Sequence, residues 1–227
     1  MLRALDAKLL AEHRCWFGGG TAIALSHDEY RESVDIDFIV SDQKSYRALR
    51  ELVREHGLDG LSHAPLAVTR EPAIDQYGIR AAVLSGGVPI KFEIVHEGRI
   101  ELDQPTEHDE ICGVRTLAEI DQVTTKLLAN DDRWADTSVF SRDLIDLAMM
   151  RPSATALTLG AQKAVSAYGA SVGKSLRNAV DHLRQRPQRL DECIRALHIE
   201  PPRASVWQNI RDFEARCAEI PALHATS

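Results

Sequence analysis

Asp35 and Asp37 are separated by a single residue in the apolar stretch VDIDFIV. If this stretch is a strand, residues two apart project from the same face, about 6.6 Å apart along the chain. Two carboxylates on one face repel each other unless a cation lies between them. Carboxylate oxygens suit a hard ion, so we expect Mg²⁺ here, with Mn²⁺ as a substitute, and with substrate phosphates completing the coordination. The opposite, apolar face of the strand would consist of Val34, Ile36, Phe38 and Val40.

Three glycines precede this pair and favour a tight turn. Gly18, Gly19 and Gly20 would let the backbone approach a ligand closely, and Thr21 would open a short helix. Amide hydrogens at the start of a helix attract phosphate oxygens. The order of glycine turn, helix and paired aspartates therefore favours a site for a phosphate-bearing ligand and its metal ion. The alternative is a glycine turn before an ordinary edge strand.

A second alternating stretch, Val88 to Val95, contains a further candidate carboxylate. Its sequence, VPIKFEIV, places apolar residues on one face and Lys91 with Glu93 on the other. Glu93 is a candidate third metal ligand, and Lys91 could pair with it or approach a phosphate group. The alternative is a half-exposed strand with a surface Lys/Glu pair.

These motifs resemble those of the AbiEii/AbiGii/MenT-like nucleotidyltransferase toxins, which belong to the DNA polymerase β-type nucleotidyltransferase superfamily. The superfamily signature is Gly-Gly-Ser/Thr followed, after a spacer, by Asp-x-Asp or Asp-x-Glu. It maps onto Gly19, Gly20, Thr21, Asp35 and Asp37. The narrower pattern R-x-S-x-D-I-D-F is present as Arg31, Ser33, Asp35, Ile36, Asp37 and Phe38.

The resemblance implies an activity and a set of partners. Such an enzyme moves a nucleoside monophosphate from an NTP to an acceptor hydroxyl, and tRNA is the expected acceptor. By this comparison Asp35, Asp37 and Glu93 hold the metal, and Glu93 assists activation of the acceptor. The family also implies the toxin of a toxin–antitoxin or phage-defence pair, with a cognate antitoxin protein. The residues expected to bind the NTP are Gly18, Gly19, Gly20, Thr21, Arg31, Ser33 and Lys91.

A third match covers Leu117 to Met150, where the family has a lysine helix followed by an aspartate helix. The resemblance carries over Lys126, Asp143 and Asp146 as catalytic residues. The first helix has an apolar stripe, and Lys126 stands off it, which would leave the lysine free to meet a ligand. The stripe consists of Leu117, Ile120, Val123, Thr124, Leu127 and Leu128.

Asp143 and Asp146 lie three residues apart on a helix that is apolar nearly all round. Carboxylates on a mostly buried helix need a cation or hydrogen-bond donors, because an unpaired buried charge costs several kcal/mol. They could orient Lys126, the metal shell or the acceptor. Alternatively, they form an internal salt bridge to Arg133 or Arg142 that fastens the helical part to the sheet.

Turn and strand signals fall mainly in the N-terminal half, which predicts an α+β fold. We expect a polymerase β-like nucleotidyltransferase domain with a mixed sheet in residues 1–113. A helical bundle in residues 114–227 would complete the active-site cleft. Ser85, Gly86 and Gly87 favour a tight hairpin connection. Candidate strands are Val34 to Val40, Leu66 to Thr69, Ile79 to Leu84, Val88 to Val95 and Arg99 to Leu102.

The composition limits the partners. A net charge of -7 argues against nonspecific coating of nucleic acid. The segment from Lys174 to Arg203 nevertheless has seven basic against four acidic side chains, which form either a local phosphate-binding groove or a solvated helix face. No apolar run approaches the roughly 20 residues of a membrane span, so we expect a cytoplasmic protein with no membrane partner.

Two other functions share this catalytic core or its fold. An antibiotic-modifying nucleotidyltransferase would use a small hydroxyl acceptor in a narrow acidic cleft, whereas RNA would need a wide basic one. A noncatalytic module would retain the fold for binding a nucleotide or a protein. The intact aspartate pair and glycine turn favour an enzyme over such a module.

Overall fold

The computed structural model describes residues 1–224, which form two compact units. The first, the sheet unit, comprises Met1–Ala22 and Val34–Ala118. The second, the helical unit, comprises Ile23–Ser33 and the chain from Glu119 onward. Residues 23–33, predicted from sequence to be part of the catalytic domain, belong to the helical unit in the structure.

The sheet unit contains the strands of the described chain. They are β1 (Trp16–Gly18), β2 (Ile36–Val40), β3 (Val68–Ile74), β4 (Gly78–Ser85), β5 (Val88–His96), β6 (Glu110–Ile111) and β7 (Val114–Arg115). The first five form one sheet in the order β1-β2-β5-β4-β3, and β6 pairs with β7. β2 and β5 are parallel, and the other pairs are antiparallel. The sheet is therefore mixed, which confirms the predicted α+β fold.

Helices occur in both units, and those from the fourth onward lie in the helical unit. They are α1 (Ala7–Glu12), α2 (Gly19–Ser26), α3 (Gln43–His56), α4 (Glu119–Arg133), α5 (Arg142–Met150), α6 (Ala154–Tyr168), α7 (Ser171–Gln185), α8 (Pro187–Ala196) and α9 (Arg203–Cys217). None of the helices in residues 1–224 combines the length and the apolar character that a membrane span requires.

The hairpin between β4 and β5 has the tight connection that its glycines predict. Ser85 pairs with Val88, so the loop consists of Gly86 and Gly87 alone. Their φ angles of 58° and 83° lie in the left-handed region, which glycine adopts without steric cost. A two-residue loop with positive φ at both positions matches the twist of the flanking strands. The hairpin fixes the register of β5 against β4.

β2 alternates between buried and half-buried residues, as a strand with one core face should. Ile36, Phe38 and Val40 are buried, and the Phe38 ring lies 5.6 Å from the Phe17 ring, centroid to centroid. The prediction that Val34 belongs to this face is wrong, because Val34 precedes the strand and is 50% exposed. Apolar character alone does not show where a strand begins.

The predicted strand from Arg99 to Leu102 is irregular in the structure. The Arg99 backbone N–H and guanidinium Nε donate to Oε1 of Glu97 at 2.9 and 2.8 Å. The Leu102 backbone N–H donates to the Ser41 hydroxyl at 3.1 Å. Because these backbone donors bond to side chains, they do not pair with a neighbouring strand. The prediction of a strand here is wrong. A four-residue sequence pattern does not reveal side-chain partners that compete for the backbone donors.

In the helical unit α4 packs against α5, α6 and α7. Val123 and Leu127 of the predicted apolar stripe are buried, and the polar Asn130 is buried as well. Close packing depends on Gly160 of α6, where an added Cβ would lie 2.8 Å from the Val123 side chain. α4 is therefore enclosed more fully than its sequence pattern indicates.

Gly173 of α7 packs against the backbone of Leu223, where an added Cβ would lie 1.9 Å from the carbonyl oxygen. We expect Gly173→Ala to destabilise the protein by about 1–3 kcal/mol through overpacking, although alanine is intrinsically the better helix former. Thermal unfolding would show a loss of roughly 2–4 °C per kcal/mol. Gly98→Ala is the matched control, because nothing lies within 4 Å of its added Cβ. Equal melting temperatures for the two variants would contradict the packing argument.

Candidate active site

One row of residues crosses four strands of the sheet. Gly18 of β1 is opposite Asp37 of β2, Asp37 is opposite Glu93 of β5, and Glu93 is opposite Arg80 of β4. Residues opposite each other on neighbouring strands project from the same face of the sheet. The fold therefore brings Asp37 and Glu93 together and adds Arg80 beside them.

The glycine turn lies directly against Asp37. Gly19 has a φ of +70°, and a Cβ at this position would lie 2.5 Å from Oδ2 of Asp37. Gly18 ends β1 and Gly19 begins α2, with Gly20 and Thr21 in its first turn. The predicted phosphate-binding turn and one predicted metal ligand are thus neighbours, and a side chain at position 19 would displace the carboxylate.

The pKa of Lys91 reflects the combined negative charge of Asp35, Asp37 and Glu93. Partial burial would lower the pKa of the Lys91 ammonium group, but its bond to Glu93 and the charges of Asp37 and Asp35 raise it above the ordinary value. Asp35 directly precedes β2 and is half-buried. The three carboxylates therefore produce a negative potential that favours a cation at this face of the sheet.

Glu93 has a cation at each of its oxygens. Oε1 accepts a hydrogen bond from Nε of Arg80 at 2.8 Å, and Oε2 accepts one from Nζ of Lys91 at 2.5 Å. Arg80 also donates through Nη1 to Oδ2 of Asp75 at 2.9 Å. The Glu93 side chain is 13% exposed, and that of Lys91 is 52% exposed. Glu93 thus forms the Lys/Glu pair that sequence analysis gives as an alternative, with Arg80 as a second partner.

The residues present fit a hard divalent cation in their chemistry. Asp35, Asp37 and Glu93 offer carboxylate oxygens only, the donor type that Mg²⁺ and Mn²⁺ prefer. Within residues 1–224, however, no group of three or more His, Cys, Asp or Glu side chains is already arranged to hold an ion. The bonds from Glu93 to Arg80 and Lys91 give a physical reason, because they orient its carboxylate toward these cations.

A separate ionic cluster lies inside the helical unit and is centred on Asp146. Its Oδ1 accepts hydrogen bonds from the Tyr30 hydroxyl at 2.5 Å and from Nε of Arg31 at 2.7 Å. Its Oδ2 accepts one from Nη2 of Arg31 at 3.0 Å and pairs with Nζ of Lys126 at 2.6 Å. Burial would raise the pKa of Asp146, but Lys126 and Arg31 outweigh this effect and lower it. Asp146 is therefore a buried, charged carboxylate with complete compensation.

Asp143, one turn earlier on α5, extends this cluster. Its Oδ1 accepts from Nζ of Lys126 at 3.0 Å, and Arg133 donates to both of its oxygens at 2.7 and 2.9 Å. Burial opposes ionisation, yet Lys126 and Arg133 lower the pKa of Asp143 well below its usual range. The salt bridge to Arg133 proposed from sequence is thus present, but both of its residues belong to the helical unit, so this pair does not fasten that unit to the sheet. We call Tyr30, Arg31, Lys126, Arg133, Asp143 and Asp146 the buried ionic cluster.

Two expectations about individual residues differ from these contacts. Lys126, expected to stand free, is 5% exposed and bonds to both aspartates, because neighbouring helices cover the polar side of α4. Arg31, expected to bind the NTP, is 5% exposed and bonds to Asp146. Ser33 is half-buried and lines a cavity of about 410 Å³ with Arg31. Catalytic or NTP-binding roles for these residues stay predictions.

Three of the seven basic side chains in the segment from Lys174 to Arg203 form ion pairs within the described part of the chain. A further basic residue, Arg177, donates a hydrogen bond to the Leu223 carbonyl oxygen at 2.8 Å. These contacts are typical of a solvated helix face, the second alternative given for this segment. The pairs are Arg184 with Asp181 and Glu214, Arg189 with Glu192, and Arg203 with Asp191.

Sequence reasoning missed Arg80 and Tyr30. Arg80 lies opposite Glu93, and the register of the predicted hairpin contains that signal, because counting back from the Gly86 turn pairs the two residues. Tyr30 precedes the motif arginine, but its partner Asp146 is 116 residues away in sequence. No local pattern indicates such a contact.

Comparison with solved structures places the fold among those of nucleotidyltransferases. The crystal structure of an H. pylori protein assigned as a nucleotidyltransferase matches with a TM-score of 0.56 and 16% identity, over 97% of this chain and 93% of that one. The crystal structure of JHP933 from Helicobacter pylori gives a TM-score of 0.47 and 15% identity, over 96% and 93% of the two chains. None of the curated proteins compared with the chain matches it.

The family follows from the sequence itself. Residues 2–223 match the model of the family described as nucleotidyl transferase AbiEii toxin, Type IV TA system. The chain therefore belongs to the AbiEii nucleotidyl transferase toxin family, and the protein is a nucleotidyltransferase. This confirms the resemblance inferred from the glycine turn and the aspartate pair.

The buried ionic cluster predicts a large stability effect for Asp146→Asn. The amide would leave Arg31 without its carboxylate partner in a buried environment and Lys126 with Asp143 alone, which costs about 3–5 kcal/mol. Urea unfolding at neutral pH would measure this as a lower midpoint with an unchanged slope. Asp181→Asn is the control, since Asp181 pairs with Arg184 on the surface and should contribute no more than about 1 kcal/mol. Similar losses in both variants would argue against a cluster that stabilises the helical unit.

Proposed function

We propose that the protein transfers a nucleoside monophosphate from an NTP to an acceptor hydroxyl, with Mg²⁺ or Mn²⁺ as cofactor and release of pyrophosphate. The observation that carries this proposal is the contact between the Gly19 backbone and the Asp37 carboxylate, with Glu93 opposite Asp37. A phosphate-binding turn and carboxylates suited to a divalent ion are thereby adjacent. Membership of a nucleotidyl transferase family supports the same reaction.

Each residue of this face has a role in the proposal. Asp35 and Asp37 would hold the metal, and Glu93 would add a third carboxylate. When bound, the metal ion would neutralise charge on the triphosphate and lower the pKa of the acceptor hydroxyl. The amides of Gly19 and Gly20, at the start of α2, would face the phosphates of the NTP. Catalysis would then depend mainly on positioning and electrostatics.

For the acceptor we propose tRNA, and for the cellular role a toxin controlled by a cognate antitoxin. The family description as a toxin of a toxin–antitoxin system supports the second statement. The tRNA acceptor depends on the resemblance to MenT-like toxins. Ion pairs of Arg184, Arg189 and Arg203 reduce the positive charge that the segment between Lys174 and Arg203 could offer to RNA, so an acceptor assay should also contain small hydroxyl compounds such as aminoglycosides.

The role of the buried ionic cluster is structural in this proposal. Lys126 already has two carboxylate partners, and Asp143 and Asp146 each have two cationic ones. We propose that these groups hold α4, α5 and the Tyr30–Arg31 segment together within the helical unit. Loss of activity on substitution of Lys126 would therefore accompany a loss of stability.

The central test is Asp37→Asn, which keeps the size of the side chain and removes its charge. We expect transfer to fall by about 10²-fold or more, because a group that positions charge in the transition state is lost. The assay incubates protein, Mg²⁺ and each labelled NTP with total tRNA or with small acceptors, and measures the label attached. Relief of growth inhibition would accompany the loss.

Asp42→Asn serves as the matched control, since Asp42 caps α3 in the same unit and takes no part in the proposed site. It should keep full transfer activity and nearly the wild-type melting temperature, because asparagine caps a helix about as well as aspartate does. Full activity in Asp37→Asn would overturn the proposed site. Label on an aminoglycoside and none on tRNA would keep the reaction and replace the acceptor.

A further inference from the structure

The two carboxylate oxygens of Glu93, which a metal ion would need, already bond to Arg80 and Lys91. Both oxygens of Glu93 accept a hydrogen bond, one from each cation. Each Glu93 oxygen keeps a second lone pair, but a divalent ion that approaches it would meet a positive charge at hydrogen-bond distance from each oxygen. All three candidate carboxylates are present, but Arg80 and Lys91 orient the third of them, Glu93.

The two cations differ in how firmly they are held. Arg80 bonds to Glu93 and also to Asp75, and Asp75 in turn accepts hydrogen bonds from the backbone N–H groups of Tyr77 and Gly78. This chain of bonds fixes the guanidinium group. The Lys91 side chain is 52% exposed, and its ammonium group pairs with Glu93. Lys91 is therefore the cation that can leave.

We infer that Lys91 is a built-in counter-ion that competes with the divalent cation for Glu93, and that Arg80 is a positioning residue that keeps the Glu93 carboxylate in place after Lys91 leaves. This inference rests on the proposed function, since it concerns the metal site of that reaction. Lys91 stabilises three neighbouring carboxylates before the metal binds. The strength of its bond to Glu93 then sets the metal concentration that is needed to displace it. The released ammonium group is then available to the phosphates of the NTP.

Metal binding without nucleotide tests the inference independently of activity. Titration with Mn²⁺, followed by the electron paramagnetic resonance signal of the free ion, gives the dissociation constant for each variant. We expect Lys91→Met to bind Mn²⁺ about 3- to 10-fold more tightly than the wild type, the effect of removing a partly exposed ion pair. Lys91→Arg, which keeps the cation, should bind like the wild type. Lys44→Met removes a lysine from the exposed side of α3 and should also change nothing.

A double-mutant cycle locates the competition at Glu93. In a Glu93→Gln background the substitution Lys91→Met should alter the dissociation constant by less than about 2-fold, because the shared partner is absent. Lys91→Gln repeats the measurement with a second neutral side chain. Thermal unfolding of each variant checks that the sheet unit is intact.

The outcomes separate this inference from the proposed function. If Mn²⁺ binding is lost in Asp37→Asn but Lys91→Met binds no more tightly than the wild type, the counter-ion role is wrong and the metal site stands. If neither the wild type nor Lys91→Met binds Mn²⁺ in a manner that depends on Asp37, both are wrong. Tighter binding in Lys91→Met that persists in the Glu93→Gln background would also overturn the inference, because the effect would then not pass through Glu93.

Discussion

One electrostatic constraint acts on the sheet unit: two negatively charged residues, Asp37 and Glu93, lie side by side in one row of the sheet. Asp37 and Glu93 are opposite each other on parallel neighbours, a pairing that is unfavourable without a compensating cation. In the structure Arg80 and Lys91 supply the compensation from β4 and β5. A sheet built for stability alone would have no reason to place these acids together. The row therefore supports the metal site that we propose for this face of the sheet.

The helical unit solves the opposite problem, since its charges are buried away from water. Asp143 and Asp146 lie on a helix with few other polar residues, and each has two cationic partners at hydrogen-bond distance. Replacing such a cluster by apolar side chains often costs no stability, whereas removing one member leaves an uncompensated charge. The cluster therefore selects one arrangement of α4, α5 and the Tyr30–Arg31 segment. Its energetic benefit is specificity of packing.

Local patterns predicted the elements that carry the site, and long-range partners limited what more could be predicted. The alternation around Asp37 and Glu93 and the glycines at positions 86 and 87 were sufficient for strands and a hairpin, because side-chain period and turn geometry are local properties. The burial of Lys126 was missed because it depends on three helices that pack around α4. For the same reason sequence alone could not choose between a catalytic and a structural role for Asp143 and Asp146.

The motif R-x-S-x-D-I-D-F illustrates how one short sequence motif can contribute to two parts of a structure. Arg31 and Ser33 belong to the helical unit, and Arg31 bonds to Asp146 within that unit. Asp35 and Asp37 belong to the sheet unit, where the glycine turn and Glu93 surround Asp37. The first half of the motif therefore contributes to packing in the helical unit, and the second half contributes carboxylates to the sheet unit. A motif arginine close in sequence to the aspartates of the proposed metal site need not contact the ligand, because a buried carboxylate elsewhere in the fold can be its partner.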